Sequence, residues 1–134
     1  MKTLLFSCFV LLQFSIFAQD WATYFSDDKL TIDVAKVIYK DKTHGLEHER
    51  IVFRYVNKTP QEIHFSFSRI HSYDGIELQS SPEREFEITL LPNETRGYSK
   101  SVEKNKLYYI FKKDNNDFIK RKLSSFDVLT IIYL

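Results

Sequence analysis

The chain has 134 residues, a single cysteine, and 19 Lys plus Arg against 18 Asp plus Glu. That length suffices for one domain with a sizeable core, and the balanced charge gives no basis for a nucleic-acid partner or a steered charged substrate. One cysteine excludes an internal disulfide, so packing and backbone pairing alone must hold the fold.

Lys2 precedes an apolar run from Leu4 to Leu12 that continues past Gln13 to Ile16, Phe17 and Ala18. A charged start, an apolar stretch and a small residue before an abrupt polar boundary at Gln19 describe a secretory signal cut after Ala18. The run is short of the roughly 20 apolar residues that a bilayer span requires, and Ser7, Gln13 and Ser15 interrupt it. Only seven residues precede Cys8, too few for the apolar region of a lipoprotein signal. The expected organisation is therefore a signal peptide, 1–18, and one domain, 19–134, exported to the periplasm or beyond the cell with no membrane span. The cut removes Cys8 and Lys2, leaving no thiol and equal numbers of the two charges.

In the mature part, Trp21 to Phe25 is an aromatic cluster, read as a first strand tucked onto the domain or as an exposed binding surface. Leu30 to Tyr39 follows as a strand whose apolar phase switches near Ala35, which predicts a bulge or a change of sheet. Ile51, Phe53 and Tyr55 alternate with Arg50, Val52 and Arg54, and Ile63, Phe65 and Phe67 alternate with Glu62, His64, Ser66 and Ser68. With the turn Asn57-Lys58-Thr59-Pro60 between them, these runs predict a hairpin.

Further strands are expected at Ile76 to Gln79, at Phe86 to Leu90 before Pro92, at Arg96 to Val102, at Leu107 to Lys112 and at Phe126 to Leu134. The three glycines and three prolines all fall between apolar stretches and read as turns. No sustained helical periodicity is present, so any helix is about one turn. The pattern predicts an all-β fold, an immunoglobulin-like two-sheet sandwich of seven or eight strands, with a small β-barrel as the alternative.

His44-Gly45-Leu46-Glu47-His48 has the form of the inverted zinc-peptidase signature, which places two histidines on one helix face and a glutamate beside them as base. Here it lies in a polar connection between strands and contains Gly45, so the catalytic reading lacks its helix. His44 and His48, with Glu47 or Glu49, remain the candidate metal ligands, against a solvated loop. His64 and His71 have no acid at fixed spacing to orient either as a base and read as surface histidines.

Asp114-Asn115-Asn116-Asp117 begins like a calcium loop, but Phe118 takes the next ligand position and no glutamate closes it; a hairpin turn capped by its own side chains is expected instead. The adjacent Lys112, Lys113, Lys120, Arg121 and Lys122 read as a solvated edge that discourages strand addition. Asn57-Lys58-Thr59 and Asn93-Glu94-Thr95 match the glycosylation sequon.

Ile51-Val52-Phe53-Arg54-Tyr55-Val56-Asn57-Lys58-Thr59 and Leu90-Leu91-Pro92-Asn93-Glu94-Thr95-Arg96-Gly97, together with the boundary Phe17-Ala18-Gln19, resemble short exported proteins of Bacteroidetes-type bacteria. The resemblance implies export and an immunoglobulin-like sandwich, and it carries over no functional residue. The expectation is a non-enzymatic binding or interaction module for a protein or glycan partner, with no cofactor. A metal-binding protein or metal-dependent enzyme using His44, Glu47 and His48 is the alternative, and a subunit of a surface assembly the third reading.

Overall fold

The computed structural model describes residues 20–78, 85–116 and 118–134, with the side chains of 77 and 78 left aside. The expected signal segment, the single cysteine and Asp117 lie outside the described residues.

Nine strands form two antiparallel sheets among these residues: β1 (Ala22–Ser26), β2 (Leu30–Asp41), β3 (Leu46–Asn57), β4 (Ile63–Tyr73), β5 (Ile76–Leu78), β6 (Glu85–Leu90), β7 (Thr95–Gly97), β8 (Tyr109–Asp114) and β9 (Leu123–Tyr133). In the first sheet β3 lies between β2 on one edge and β7 and β8 on the other. In the second, β4 lies between β9 on one edge and β6 and β5 on the other. The all-β two-sheet arrangement is as the alternation predicts.

The core forms where the two inner faces meet: Leu30, Ile32, Phe53 and Tyr55 from the first sheet meet Ile63, Phe65, Phe67, Ile88 and Leu90 from the second. Tyr55 packs on Phe65 and Phe67 at ring-centroid distances of 6.4 and 5.6 Å. This overturns the expected hairpin of Ile51–Tyr55 with Ile63–Phe67. β3 and β4 belong to different sheets and oppose each other across the core. Alternation marks which side chains are buried, but it is identical for strands that pair edge to edge and for strands that pack face to face.

The adjacent hairpin is instead β2 with β3, in unbroken register from Leu30 opposite Asn57 to Asp41 opposite Leu46. Its turn uses Gly45 at φ +64°, the left-handed region that a residue with a Cβ adopts at a cost. Asp41 caps the turn by accepting from the amides of Thr43 and His44 at 3.1 and 3.3 Å.

Because the register runs straight through Ala35 opposite Val52, the expected bulge or change of sheet at Ala35 does not occur. The apolar phase switches because both faces of β2 are covered there: Leu30 and Ile32 face the core, while Asp33 and Ala35 are buried on the opposite row. The irregularities fall elsewhere, in β1 between Thr23 and Phe25 and in β8 opposite Glu49 and Arg50.

The connection from β3 to β4 turns on Asn57, which is 1% exposed. Its amide nitrogen donates to the carbonyls of Gln61 at 2.6 Å and Leu91 at 2.9 Å, and its oxygen accepts from the Thr59 amide and hydroxyl at 2.9 and 2.8 Å. The nitrogen that a glycan would occupy is thus buried and bonded, so the first sequon is a structural element. The backbone repeats the link, Asn57 N donating to Glu94 O and Asn93 N to Thr59 O. Asn93 itself is exposed at φ +57°.

The strand expected over Arg96–Val102 stops at Gly97, and that expected from Leu107 starts two residues later, at Tyr109. β7 and β8 run in the same direction along one edge of β3, β7 ending opposite Arg54 and β8 starting opposite Val52. They are one edge strand from which residues 98–108 loop out opposite Phe53, through short 3-10 turns at Lys100–Val102 and Lys106–Tyr108. Three side chains hold the loop by its main chain: Arg50 donates to Glu103 O, Arg69 to Lys106 O, and the Tyr55 hydroxyl to Leu107 O at 2.6 Å.

Along the seam between β1 and β9 two tyrosines join the sheets. The Tyr24 hydroxyl donates to the Asp127 carboxylate and accepts from the Val128 amide at 3.1 Å, and the Tyr133 hydroxyl donates to Asp27 at 2.5 Å. Burial pushes the Asp27 carboxyl up, but hydrogen bonds from Tyr133 and from the amides of Leu30 and Lys29 outweigh it and hold Asp27 below the usual aspartate range.

Two outcomes follow. Asn57→Ala leaves buried carbonyls without donors and is expected to lower unfolding free energy by about 2–4 kcal/mol in urea titrations, whereas Asn93→Ala, an exposed turn position, changes it by about 1 kcal/mol or less. Asp27, with its folded value depressed, contributes stability that is present above its unfolded pKa and is lost as pH falls through the folded one. Tyr133→Phe should therefore raise the Asp27 titration followed by NMR and cost about 1–2 kcal/mol at neutral pH.

Candidate functional site

The sequence-predicted metal residues fall at one end of the β2–β3 hairpin without converging. His44 is in the turn, its Nδ1 2.8 Å from Asp41 Oδ2, with a side chain 71% exposed. Glu47 pairs with Lys40 across the hairpin at 3.3 Å. His48 stands on β3 between the rings of Tyr39 and Phe111, at 4.8 and 5.2 Å, and its Nε2 accepts from Arg50 Nε at 2.9 Å. Burial, and then the Arg50 charge, push the His48 imidazole below the usual histidine range. Among the described residues no three His, Cys, Asp or Glu side chains are grouped to hold a metal ion.

The other expected sites are placed as follows. His64 lies on β4, hydrogen-bonded to Glu87 of β6. His71 is only partly exposed and stands on the inward row of β4 with Phe67, Arg69 and Tyr73, against its ring at 5.9 Å from Tyr73, so it is not a solvated surface histidine. Asp114 accepts from the amides of Asn116 at 2.9 Å and Ile119 at 3.0 Å, and these donors hold its carboxyl low. The turn is self-capped as expected. It is not a hairpin, because β8 and β9 belong to different sheets.

What the fold does bring together lies on the row of β3 that alternates away from the core, His48, Arg50, Val52 and Arg54. Arg54 grips Asp33 of β2 through Nε and Nη2 at 3.0 and 2.7 Å, Thr23 donates to the other Asp33 oxygen at 3.1 Å, and the Trp21 ring lies 4.6 Å from the guanidinium. The neighbouring β7 residue is Gly97, where a Cβ would come within 3.1 Å of Arg54 Cβ, so the missing side chain gives Arg54 its room. Trp21 thus belongs to this face, where the sequence left a tucked strand and an exposed surface as alternatives.

Two pleats along, about 13 Å by strand geometry, Arg50 is 4% exposed and lies between two rings, its guanidinium carbon 3.9 Å from both Tyr39 and Tyr109. Besides Glu103 O and His48 it reaches the Tyr98 hydroxyl at 3.5 Å. Among the described residues no carboxylate is paired with it. Two ring faces, a carbonyl and a neutral imidazole carry its charge instead.

Sequence reasoning placed Arg50 and Arg54 on the polar side of a strand but missed both clusters. Trp21 precedes β1, and Tyr39 and Tyr109 come from β2 and β8, so only the pairing of the strands sets them beside the arginines. Arg69, 2% exposed, was missed as well: it interrupts the inward row of β4, with its guanidinium 4.9 and 4.1 Å from the rings of Phe53 and Phe86. Burial pulls it down to about 10, so it stays charged at neutral pH.

The His48 geometry has a direct readout. In an NMR titration His48 is expected to protonate below the usual histidine range, and Arg50→Met, which removes the adjacent charge, should raise it. A His48 that titrates at the ordinary histidine value in the wild type would contradict the bond from Arg50. No family model matches this chain, and neither curated proteins nor solved structures give a match.

Proposed function

We propose that the chain is an exported, non-enzymatic binding module of immunoglobulin-like type, which takes a protein or glycan partner on the outer face of β2 and β3. The observation that carries this reading is the pair of arginine–aromatic clusters, Trp21 with Arg54 and Asp33, and Tyr39 and Tyr109 with Arg50, on one strand row. Tryptophan, tyrosine and arginine supply most of the affinity in protein interfaces, and ring faces next to fixed hydrogen-bonding groups suit a planar polar partner equally well. Stacking and pairing hold these side chains in place before any partner arrives, which lowers the ordering cost of binding.

The test begins with native mass spectrometry of residues 19–134, which reports bound metal, bound ligand and oligomeric state in one spectrum. Stoichiometric zinc that disappears in the His44→Ala, His48→Ala double variant would move the assignment to a metal protein, as would reproducible hydrolase activity to an enzyme. Against a glycan array and a panel of extracellular proteins, Trp21→Ala and Tyr109→Ala are expected to weaken binding by about tenfold or more while leaving the fold intact by circular dichroism. Unchanged binding in both variants would remove the outer face from consideration.

A further inference from the structure

An antiparallel sheet ends in strands whose outer N–H and C=O groups lack a neighbour, and folded proteins block such edges with bulges, side-chain caps or insertions. Several edges of this molecule carry such a device. β1 is irregular between Thr23 and Phe25. The edge made by β7 and β8 is interrupted by the loop 98–108, and the Tyr73 hydroxyl donates to Phe111 O of β8 at 2.8 Å. β9 is bulged at Thr130 and capped at its Val128 amide by Tyr24.

β6 carries none of them. Its six residues pair with β4 in unbroken register, from Glu85 opposite Ser68 to Leu90 opposite Ile63, and among the described residues β4 is its one strand partner. Neither proline nor glycine interrupts it. Among the described residues no hydrogen bond from outside the ladder reaches the main chain of Glu85 to Thr89; at the far end Asn57 Nδ2 contacts Leu90 O at 3.4 Å. By strand geometry this is about 20 Å of open ladder.

The same register sets the side chains beside this edge. Glu85, Glu87 and Thr89 stand outward in one row with Ser68, Ser66 and His64 of β4, while Phe86, Ile88 and Leu90 face the core. Both glutamates are exposed; Glu87 is hydrogen-bonded to His64, and among the described residues no Lys or Arg is paired with either. Asp127 of β9, opposite Ile70, adds a third carboxylate to the outward side. The strands of this sheet contain a single Lys or Arg, Arg69, and it faces inward. The loop 98–108 meets the sheet from that inner side, where Arg69 donates to Lys106 O.

An open ladder selects an extended main chain, which alone presents N–H and C=O groups at the matching spacing. The outward row selects charge, because every second side chain of an added strand falls beside Glu85 or Glu87, where opposite charges attract and like charges repel. A second copy pairing β6 with β6 would bring its own two glutamates to that row.

We propose that the edge of β6 accepts an extended segment of a partner protein in which Lys or Arg alternates with apolar residues, the cations beside Glu85 and Glu87 and the apolar side chains toward Phe86. The site is on the other sheet from the outer face of β2 and β3 and independent of it.

The test is an NMR titration of the full chain with a capped peptide of alternating Lys and Val, with its Glu and Val counterpart, and with the fully N-methylated form of the first. The Lys peptide is expected to shift the amides of Glu85 to Leu90 and to bind about tenfold or more tightly than the other two. Glu85→Lys with Glu87→Lys should weaken the Lys peptide by about tenfold and strengthen the Glu peptide. Both positions are exposed, so circular dichroism should show unchanged folding, and the comparison of peptides on the wild type stands without the variant. Absence of binding at β6, equal binding of the Glu peptide, or equal binding of the N-methylated peptide, which marks a charge contact without a ladder, overturns the proposal. A dimer in analytical ultracentrifugation whose contact maps to β6 assigns the edge to a second copy and overturns it equally.

Discussion

Asn57 joins two of the passages by which the chain moves between sheets. The turn from β3 to β4 and the turn from β6 to β7 lie against each other, and one buried carboxamide bonds both. A buried amide group is costly unless both its ends are bonded, and here each end has partners with good geometry. The opposition of β3 and β4 depends on this link. Once β3 is turned away from its neighbour in sequence, its free edge is open to β7 and β8, and the inner rows of the two sheets can stack Tyr55 on Phe65 and Phe67.

Charge is used inside the molecule to fix main chain. Arg50 and Arg69 are both nearly inaccessible, and both donate to carbonyls of the looped-out segment 98–108 while ring faces cover the guanidinium planes. The delocalised cation is weakly hydrated and stacks readily, which is why arginine tolerates such positions better than lysine. At the opposite seam neutral donors join the sheets: Tyr24 and Tyr133 donate to carboxylates across the junction, and Tyr24 also accepts from the Val128 amide of β9, the strand in which Thr130 at φ +51° marks a bulge between the partners of Ser66 and Ser68. A bulged edge with side-chain caps offers a poor template for another strand.

The strands and the buried faces were legible because a half-buried strand writes its period into the residues. Ile51, Phe53 and Tyr55, and then Ile63, Phe65 and Phe67, are all inward as their alternation says. Pairing was not legible, since the same alternation serves neighbours and opposed strands, and the deciding information sits in Asn57, whose Asn-Lys-Thr sequence resembles an ordinary turn and a sequon at once. The phase switch at Ala35 misled for a related reason: coverage of the outer row by Asp33 and Arg54 looks, in one dimension, like a bulge. At the outer face the arginines were visible and the rings were visible, but nothing local connects Trp21 to Arg54 or Tyr109 to Arg50. The motif at His44 and His48 was legible as letters, and its hairpin setting gives the two histidines different environments.

The interrupted edge strand has a consequence for how this fold can diverge. The segment 98–108 leaves the ladder opposite Phe53 and returns with the register intact, and what holds it are contacts from Arg50, Arg69 and Tyr55 to carbonyl oxygens, which every amino acid has. Recognition by main-chain atoms is blind to side-chain identity, so Glu103 and Lys106 can be exchanged without loss of these contacts, whereas Tyr98, Val102, Leu107 and Tyr108 of the same segment pack on the core. The scaffold thus carries a loop whose solvent-facing positions, such as Lys100, Lys104 and Lys106, are free to drift while its core-facing side chains and its main-chain anchors keep the path fixed.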